Sequence, residues 1–303
     1  MVVCIGEALV DLIDGVAYPG GCPLNTAIAA SRLGVRVMLL DRISVDKYGQ
    51  ILAQKIKNNS IIVPLSFLND KRSTMYSEVI LDASGQARYR FRTERTATLG
   101  LDAKSLEDEL EKEENVEAIL FGSVSLMLEP AASSIFRAVS EYKKKHPRVT
   151  IFLDPNIRSS LITEFNKYRV WMKDVVKLAD IVKMSDEDLL LLTGKPYDQG
   201  VREFKTINQC DLIITRGAKG SEWHRGRKVF KAQAANIRIV DTIGAGDTFN
   251  GVLLWGLHSL GGLPQKFTDD ECKKLLAIAT HAADIDCTRR GCNPPTKEEL
   301  FES

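Results

Sequence analysis

Val240-Asp241-Thr242-Ile243-Gly244-Ala245-Gly246-Asp247-Thr248-Phe249-Asn250-Gly251 follows a strand-like apolar run and opens an amphipathic one, Val252 to Leu257. Its glycines leave the main chain bare where a helix starts. The first amides of a helix have no intrahelical partner, so such an end accepts anions, and small residues let a phosphate approach closely. Asp247 puts a carboxylate at the same place. Two readings fit it. It caps the helix, worth about 1 kcal/mol, or it takes the proton from a hydroxyl that attacks a phosphoryl group. That step asks mainly for orientation of the nucleophile, and the helix dipole favours the ionised carboxylate.

The chain around this stretch has 303 residues, 44% of them hydrophobic and 27% charged. That is the composition of a globular protein with a sizeable core. A net charge of +1 gives no electrostatic case for nucleic acid or an anionic membrane. No apolar run approaches a membrane span, and the strand-like start Val2 to Gly6 lacks the pattern of a signal peptide. The six cysteines form no C-x-x-C pair, which fits reduced thiols and a cytoplasmic protein. Asn58-Asn59-Ser60 matches a glycosylation sequon by chance.

Short apolar runs alternate with amphipathic ones: Val2 to Ile5 then Asn25 to Leu33, and Val35 to Leu40 then Tyr48 to Ile56. Further buried strands are expected at Ile119 to Gly122, Val149 to Leu153, Ile181 to Met184 and Leu212 to Thr215. This rhythm predicts an α/β fold with a largely parallel sheet. Thr74 to Thr93 breaks it, with period-2 patterning around an Asp-Ala-Ser-Gly turn at 82–85. That reads as a β-hairpin, serving as a lid, a dimer contact or an extension of the sheet edge.

Ligands of open parallel sheets gather beyond the carboxyl ends of the strands. Gly6-Glu7-Ala8-Leu9-Val10-Asp11 puts a carboxylate there, suited to accepting hydrogen bonds from a polyol and equally to capping a turn. Gly20-Gly21 leads into the helix that carries Asn25. Asp154-Pro155-Asn156-Ile157-Arg158 follows a strand and supplies a fixed positive charge. Lys183 precedes the acidic run Asp186-Glu187-Asp188, and Thr215-Arg216-Gly217-Ala218-Lys219-Gly220 is a Gly-rich turn after a strand. There is no G-x-x-x-x-G-K-[ST] loop and no G-x-S-x-G elbow. The four histidines lack metal-ligand spacing.

Taken in order, these motifs resemble the ribokinase (PfkB) sugar-kinase family over nearly the whole chain. Asp241 to Phe249 matches D-T-x-G-A-G-D-x-F at every position, and Gly20 to Gly34 resembles G-G-x-x-x-N-x-A-x-x-x-x-x-L-G. Ser44 replaces the first glycine of the family's G-x-D-x-x-G, which affects a turn rather than chemistry. Phe121 to Leu126 with Glu129-Pro130, and Asp154 to Arg158, resemble the fructokinase branch. Ser185 and Asp188 stand where the family has N-x-x-E.

The resemblance implies a ribokinase-like α/β/α sandwich formed by residues 1–303, with a small β lid at about 12–19 and 73–97. The lid is expected to be partly trimmed, because the chain from Asp11 to Pro19 is short. It implies transfer of the γ-phosphoryl of ATP to a sugar hydroxyl, with the middle of the D-P-N-x-R motif tilting the substrate toward fructose. Asp247 would be the base, with the Gly244, Ala245 and Gly246 amides and Arg158 stabilising charge. Asp11, Gly20, Gly21 and Asn25 would join Asp247 in holding the sugar. Lys183, Thr215, Gly217, Gly220 and Gly246 would hold the nucleotide. Asp188 would meet Mg²⁺ through water, and Asp241 and Ile243 would hold K⁺. A homodimer through the lid is a further expectation. Ribose, 2-keto-3-deoxygluconate and nucleosides are the alternative substrates. A sugar-binding protein that kept the fold without the chemistry is the reading from another class, and the intact Asp247 stands against it.

Overall fold

Strands β1 (Val2–Ile5), β2 (Leu9–Ile13), β3 (Val16–Gly20), β4 (Val37–Leu40), β5 (Tyr76–Leu81) and β6 (Ala87–Arg92) occupy the first third of the chain. They are followed by β7 (Ala118–Gly122), β8 (Thr150–Asp154), β9 (Ile181–Ser185), β10 (Asp211–Thr215), β11 (Ser221–Arg225) and β12 (Lys228–Ala232). The helices are α1 (Cys22–Arg32), α2 (Lys47–Asn58), α3 (Ala103–Glu111), α4 (Ala131–Lys145) and α5 (Phe165–Leu178), then α6 (Asp186–Thr193), α7 (Tyr197–Ile207), α8 (Ala245–Ser259), α9 (Asp269–Cys287) and α10 (Lys297–Phe301). The structure is a computed structural model that describes residues 1–81 and 87–302. The turn expected at 82–85 lies outside the described residues.

Eight strands form one sheet in the order β12-β11-β10-β9-β8-β7-β1-β4. From β10 to β4 every pairing is parallel. The edge strands β11 and β12 are antiparallel, because the short turn through Gly217–Lys219 is too brief for a crossover and returns the chain directly.

Both faces of the sheet are covered, which is why its strands are apolar at successive positions. In β1, Val2 and Cys4 enter a core shared with α1, α2, α8 and α9, whereas Val3 and Ile5 enter a second core against α3 to α7. The result is a three-layer α/β/α sandwich. Helices α1 and α8 cross at Gly251, where an added Cβ would run into the Ala29 side chain and sit 2.9 Å from the Ala30 amide nitrogen. That contact sets α1 directly beside the first turn of α8.

A second, four-stranded sheet, β3-β2-β5-β6, forms the lid region. The stretch expected to be trimmed instead carries a complete hairpin, with β2 and β3 antiparallel and β2 parallel to β5. Leu9, Met75 and Val124 are buried together beneath it, with Phe91 packed against them. Asp46 ties the lid's base to the main body. It caps α2 through the Gly49 amide at 2.7 Å and accepts from the Thr74 amide and hydroxyl at 2.7 and 2.6 Å. The G-x-D-x-x-G segment is thus a structural joint.

Candidate active site

Gly244 adopts φ 88° and ψ −7°, a left-handed conformation suited to glycine, and starts α8 from the preceding loop. A Cβ there would strike the Cys292 side chain. The Thr248 amide closes the first turn on the Gly244 carbonyl at 2.7 Å, leaving residues 245–247 ahead of the helical ladder. Asp247 lies in this turn, 9% exposed, and its Oδ2 accepts from Asn25 Nδ2 at 2.9 Å. Burial pushes the Asp247 carboxyl above the ordinary carboxylate range, against the hydrogen bonds from Asn25 and Cys22 and the charge of Lys183.

Two cavities meet at this turn. The first, about 480 Å³, opens at the carboxyl ends of β1, β7, β8 and β9 beneath the lid sheet, and its polar lining includes Asp11, Asn25, Arg158, Lys183, Glu187 and Asp247. The second, about 310 Å³, runs along Thr215, Gly217 and Gly220 to Ile237, Phe249 and Cys287 and is largely apolar. Thr242 and Gly246 border both. A polar compartment therefore joins an apolar slot across the first turn of α8, where the Ala245 amide makes only a long bond of 3.4 Å to the Thr242 carbonyl.

In the polar cavity, Asp11 Oδ1 accepts from the Ser77 hydroxyl. Burial raises its carboxyl, which the Ser77 bond and the Arg158 charge oppose. Gly20 stands behind Asp11, where a Cβ would collide with Asp11 Oδ2. Gly21 borders the cavity and precedes α1 with φ 101°. Arg158 lines the rim, its Nη1 donating to the Asn156 carbonyl at 3.4 Å. Asn25 Oδ1 is buried without a hydrogen-bond partner among the described residues.

Of the residues expected to bind metal, Asp188 and Asp241 line neither cavity. Asp188 is 7% exposed and lines neither cavity. Its Oδ2 accepts from the Ser185 amide and hydroxyl at 3.0 and 2.7 Å, and its Oδ1 from the Ile157 amide at 2.8 Å. Asp188 thus completes the capping box of α6 and braces the loop carrying Arg158. The acid of this run that borders the polar cavity is Glu187. Asp241 accepts from the Ile243 amide at 3.0 Å and the Gly291 amide at 2.9 Å, pinning the loop before α8 to the loop after α9. Ile243 itself borders the polar cavity. Beside this junction, Asp286 is fully buried. Its Oδ1 accepts from the Asn293 amide at 2.7 Å and its Oδ2 has no partner among the described residues.

Sequence reasoning did not single out several residues that build the floor. Glu7, wholly buried, accepts from the Val124 and Ser125 amides at 3.3 and 2.9 Å and fixes the turn after β7. Asp154 and Asn250 lie under the cavity, with Cys22 at its wall. A carboxylate ending a buried strand, the signal used for Asp11, was equally present at Asp154.

The sequence profile of pfkB family carbohydrate kinases matches residues 1–299. A fructokinase of Rhizobium leguminosarum bv. trifolii is 32% identical over 268 residues, covering 85% of this chain and 79% of that protein. The probable fructokinase-6 of Arabidopsis thaliana is 28% identical over 319 residues, covering 100% of this chain and 82% of that one. Among solved structures, a double mutant of the fructokinase from Vibrio cholerae, bound to fructose, ADP and a potassium ion, superposes with a TM-score of 0.83 at 26% identity, covering 99% of this chain and 94% of that one. A sugar kinase from Pyrococcus horikoshii in complex with ATP gives 0.83 at 26% identity over 100% and 98% of the two chains.

Proposed function

The chain belongs to the pfkB family of carbohydrate kinases, and from that premise we propose that it transfers the γ-phosphoryl group of ATP to a hydroxyl of a small sugar, fructose first among candidates. The observation that carries this reading is the junction of a polar and an apolar cavity at Thr242 and Gly246, with Asp247 facing the polar side. Several relatives described as fructokinases support the choice of sugar.

The sugar lies in the polar cavity, its hydroxyls accepted by Asp11 and held by Asn25 beside the Gly20-Gly21 entry to α1. The nucleotide lies along Thr215, Gly217 and Gly220, with its phosphates at the α8 amides. Asp247 takes the proton of the attacking hydroxyl. The new oxygen–phosphorus bond forms as the bond from the γ-phosphorus to the bridging oxygen of ADP breaks. The amides of Gly244, Ala245 and Gly246 meet the charge that develops, with Arg158 at the rim.

A divalent cation such as Mg²⁺, bound with ATP, would neutralise the polyphosphate. Glu187, exposed at the cavity edge, fits a role toward its water shell better than Asp188, whose oxygens are occupied. A monovalent cation such as K⁺ fits the junction of the Asp241–Ile243 and Gly291 loops. There Asp247 and Asp241 add negative charge around the buried Asp286 carboxyl, Arg289 opposes it, and one Asp286 oxygen has no partner among the described residues.

The test is ADP release and product identification with ATP, Mg²⁺ and K⁺ over fructose, ribose, glucose, 2-keto-3-deoxygluconate and adenosine. Turnover on fructose well above the others supports the full reading. Turnover on another member replaces the sugar and keeps the chemistry, and tight sugar binding without ADP release overturns the kinase assignment.

A further inference from the structure

Three metal-ligating groups meet at the floor of the polar cavity: the Cys22 thiol of α1, Asp154 at the end of β8 and Asp247 of α8. All three side chains are buried, and one ligand atom from each lies within 4.8 Å of the other two. No other set of three His, Cys, Asp or Glu among the described residues comes this close. Cys22 Sγ stands 3.9 Å from Asp154 Oδ2, and Cys22 and Asp247 line the cavity together. Three atoms so placed share a point within about 2.8 Å of each, against zinc–sulfur and zinc–oxygen distances of about 2.3 and 2.0–2.2 Å. Shifts of well under an ångström would seat a metal there.

Two amides reach into the same cluster. Asn25, 4% exposed, donates through Nδ2 to Asp247 Oδ2 at 2.9 Å. Asn250, fully buried, donates through Nδ2 to Asp154 Oδ2 at 2.7 Å, and that nitrogen is 4.0 Å from Cys22 Sγ. Oδ1 of Asn25, Oδ1 of Asn250 and Oδ1 of Asp154 are all buried with no partner among the described residues. Buried polar atoms are ordinarily satisfied, so three orphaned acceptors around one thiol and two carboxylates point to a missing cation. A half-turn of either amide puts its oxygen where its nitrogen now stands. The Lys183 ammonium, 3.0 Å from Asp154 Oδ2, sets one positive charge against the two carboxylates and leaves the cluster with an excess of negative charge.

We propose that Cys22, Asp154 and Asp247 form a site for a thiophilic divalent cation such as Zn²⁺, with the amide oxygen of Asn25 or Asn250 completing it. The metal bonds to sulfur and to one oxygen of each carboxylate. The Cys22 S–H bond breaks, its proton passes to solvent, and no electrons change hands. Lys183 stays beside Asp154 as a counter-charge, with the unpartnered Oδ1 of that carboxylate free to receive it. Without a metal the thiol keeps its proton, because burial and the charges of Asp247, Asp154 and Glu7 push it up, against the opposing charge of Lys183. Mg²⁺ is the wrong occupant, since it takes oxygen ligands and holds its waters, whereas a thiolate selects softer metals.

The consequence for activity rests on the kinase reading. A metal held by Asp247 occupies the carboxylate that would take the proton of the attacking hydroxyl, so the site is inhibitory.

The experiment uses Cd²⁺ as the first probe, because a cadmium–thiolate bond adds a charge-transfer absorption in the ultraviolet. Wild type, Cys22→Ala and Cys22→Ser are titrated with Cd²⁺ by absorption and calorimetry, each checked for folding by thermal melt. The other five cysteines remain in all three proteins. Wild type is expected to bind one Cd²⁺ per chain with the new absorption, and both variants to lose that absorption and about 100-fold or more in affinity. Zn²⁺ at a buffered free concentration is then expected to slow sugar phosphorylation by wild type, reversibly with EDTA. The variants should be slowed far less, each relative to its own metal-free rate. A wild type without the thiolate absorption, or a folded Cys22→Ala protein that keeps it, overturns the site. Full occupancy of wild type without loss of turnover overturns the seat on Asp247. If wild type phosphorylates no sugar, the kinase reading has failed, and the Cd²⁺ titration still decides the site.

Discussion

Asn25 and Asp247 are separated by 222 positions in the sequence and joined by one hydrogen bond of 2.9 Å. The bond spans the α1–α8 contact and fixes one oxygen of Asp247 while the carboxylate borders the polar cavity. Orientation is the larger part of what phosphoryl transfer needs from a base, so this contact supports the proposed chemistry as well as the packing.

Asn25→Ala should lower kcat and move the acid limb of the pH–rate profile upward. Asp247 must be ionised to accept a proton, and burial already raises its carboxyl above the ordinary value, with the Asn25 bond opposing that rise. Removing the bond lets the carboxyl climb further, so activity should vanish at a higher pH on acidification. A full pH profile of both proteins checks this, and an unshifted limb would mean that Asn25 does not tune Asp247.

Gly20→Ala should weaken sugar binding and leave the chemical step largely intact. The added methyl would collide with Asp11 Oδ2, turning the carboxylate away from the cavity while Asp247 stays in place. The expected result is a KM for sugar raised by about tenfold or more, on the scale of one or two polar contacts, with kcat within a few-fold. Equal losses in both would point to wider damage.

Gly251→Ala should destabilise the fold although alanine is the better helix former by about 1 kcal/mol. The new Cβ meets the Ala29 side chain and lies 2.9 Å from the Ala30 nitrogen. That neighbour is main chain and cannot swing aside, and overpacking costs roughly 1–3 kcal/mol. The clash should win by about 1 kcal/mol, read as a lower Tm. A raised Tm would show that the two helices part more easily than the contact suggests.

Asp286 gives a stability prediction with a defined sign. Burial lifts its carboxyl from 3.8 to about 7 in the folded protein, against the hydrogen bond from the Asn293 amide. The folded chain therefore holds this proton longer than the unfolded one. Its contribution is fully present below the unfolded value and is lost as pH rises through the folded value of about 7. Asp286→Asn, with no titration at this site, should gain Tm relative to wild type between acid and mildly alkaline pH in potassium-free buffer. A constant difference between the two melts across that range would contradict the assignment.

The sandwich was legible because its strands are buried on both faces and read as apolar runs, as Val2 to Ile5 does. Gly244 to Asp247 was legible because bare amides and a carboxylate at a helix start are a local pattern. What the sequence left unread is long-range. Asp154 serves Lys183 and Asn250, 29 and 96 positions away, and no local pattern marks that meeting. Asp188 and Glu187 show the limit differently. They are neighbours in one acidic run, but successive helical residues point about 100° apart. One therefore turns inward to cap α6 and the other borders the cavity. The lid stretch at about 12–19 was implied by the resemblance and not by local patterning, because its turn, Asp14-Gly15, joins strands of only five residues each.

The central claim is that Asp247 is the base of a sugar kinase, and Asp247→Ala tests it most directly. Steady-state ADP release should be measured with ATP, Mg²⁺ and the preferred sugar, alongside calorimetric sugar binding to the same protein. The account predicts a loss in kcat of about 10²–10⁴-fold with the fold intact and sugar still bound. A folded Asp247→Ala protein that turns over within tenfold of wild type would contradict it, leaving Asp247 as the buried partner of Asn25 in the first turn of α8 and no more.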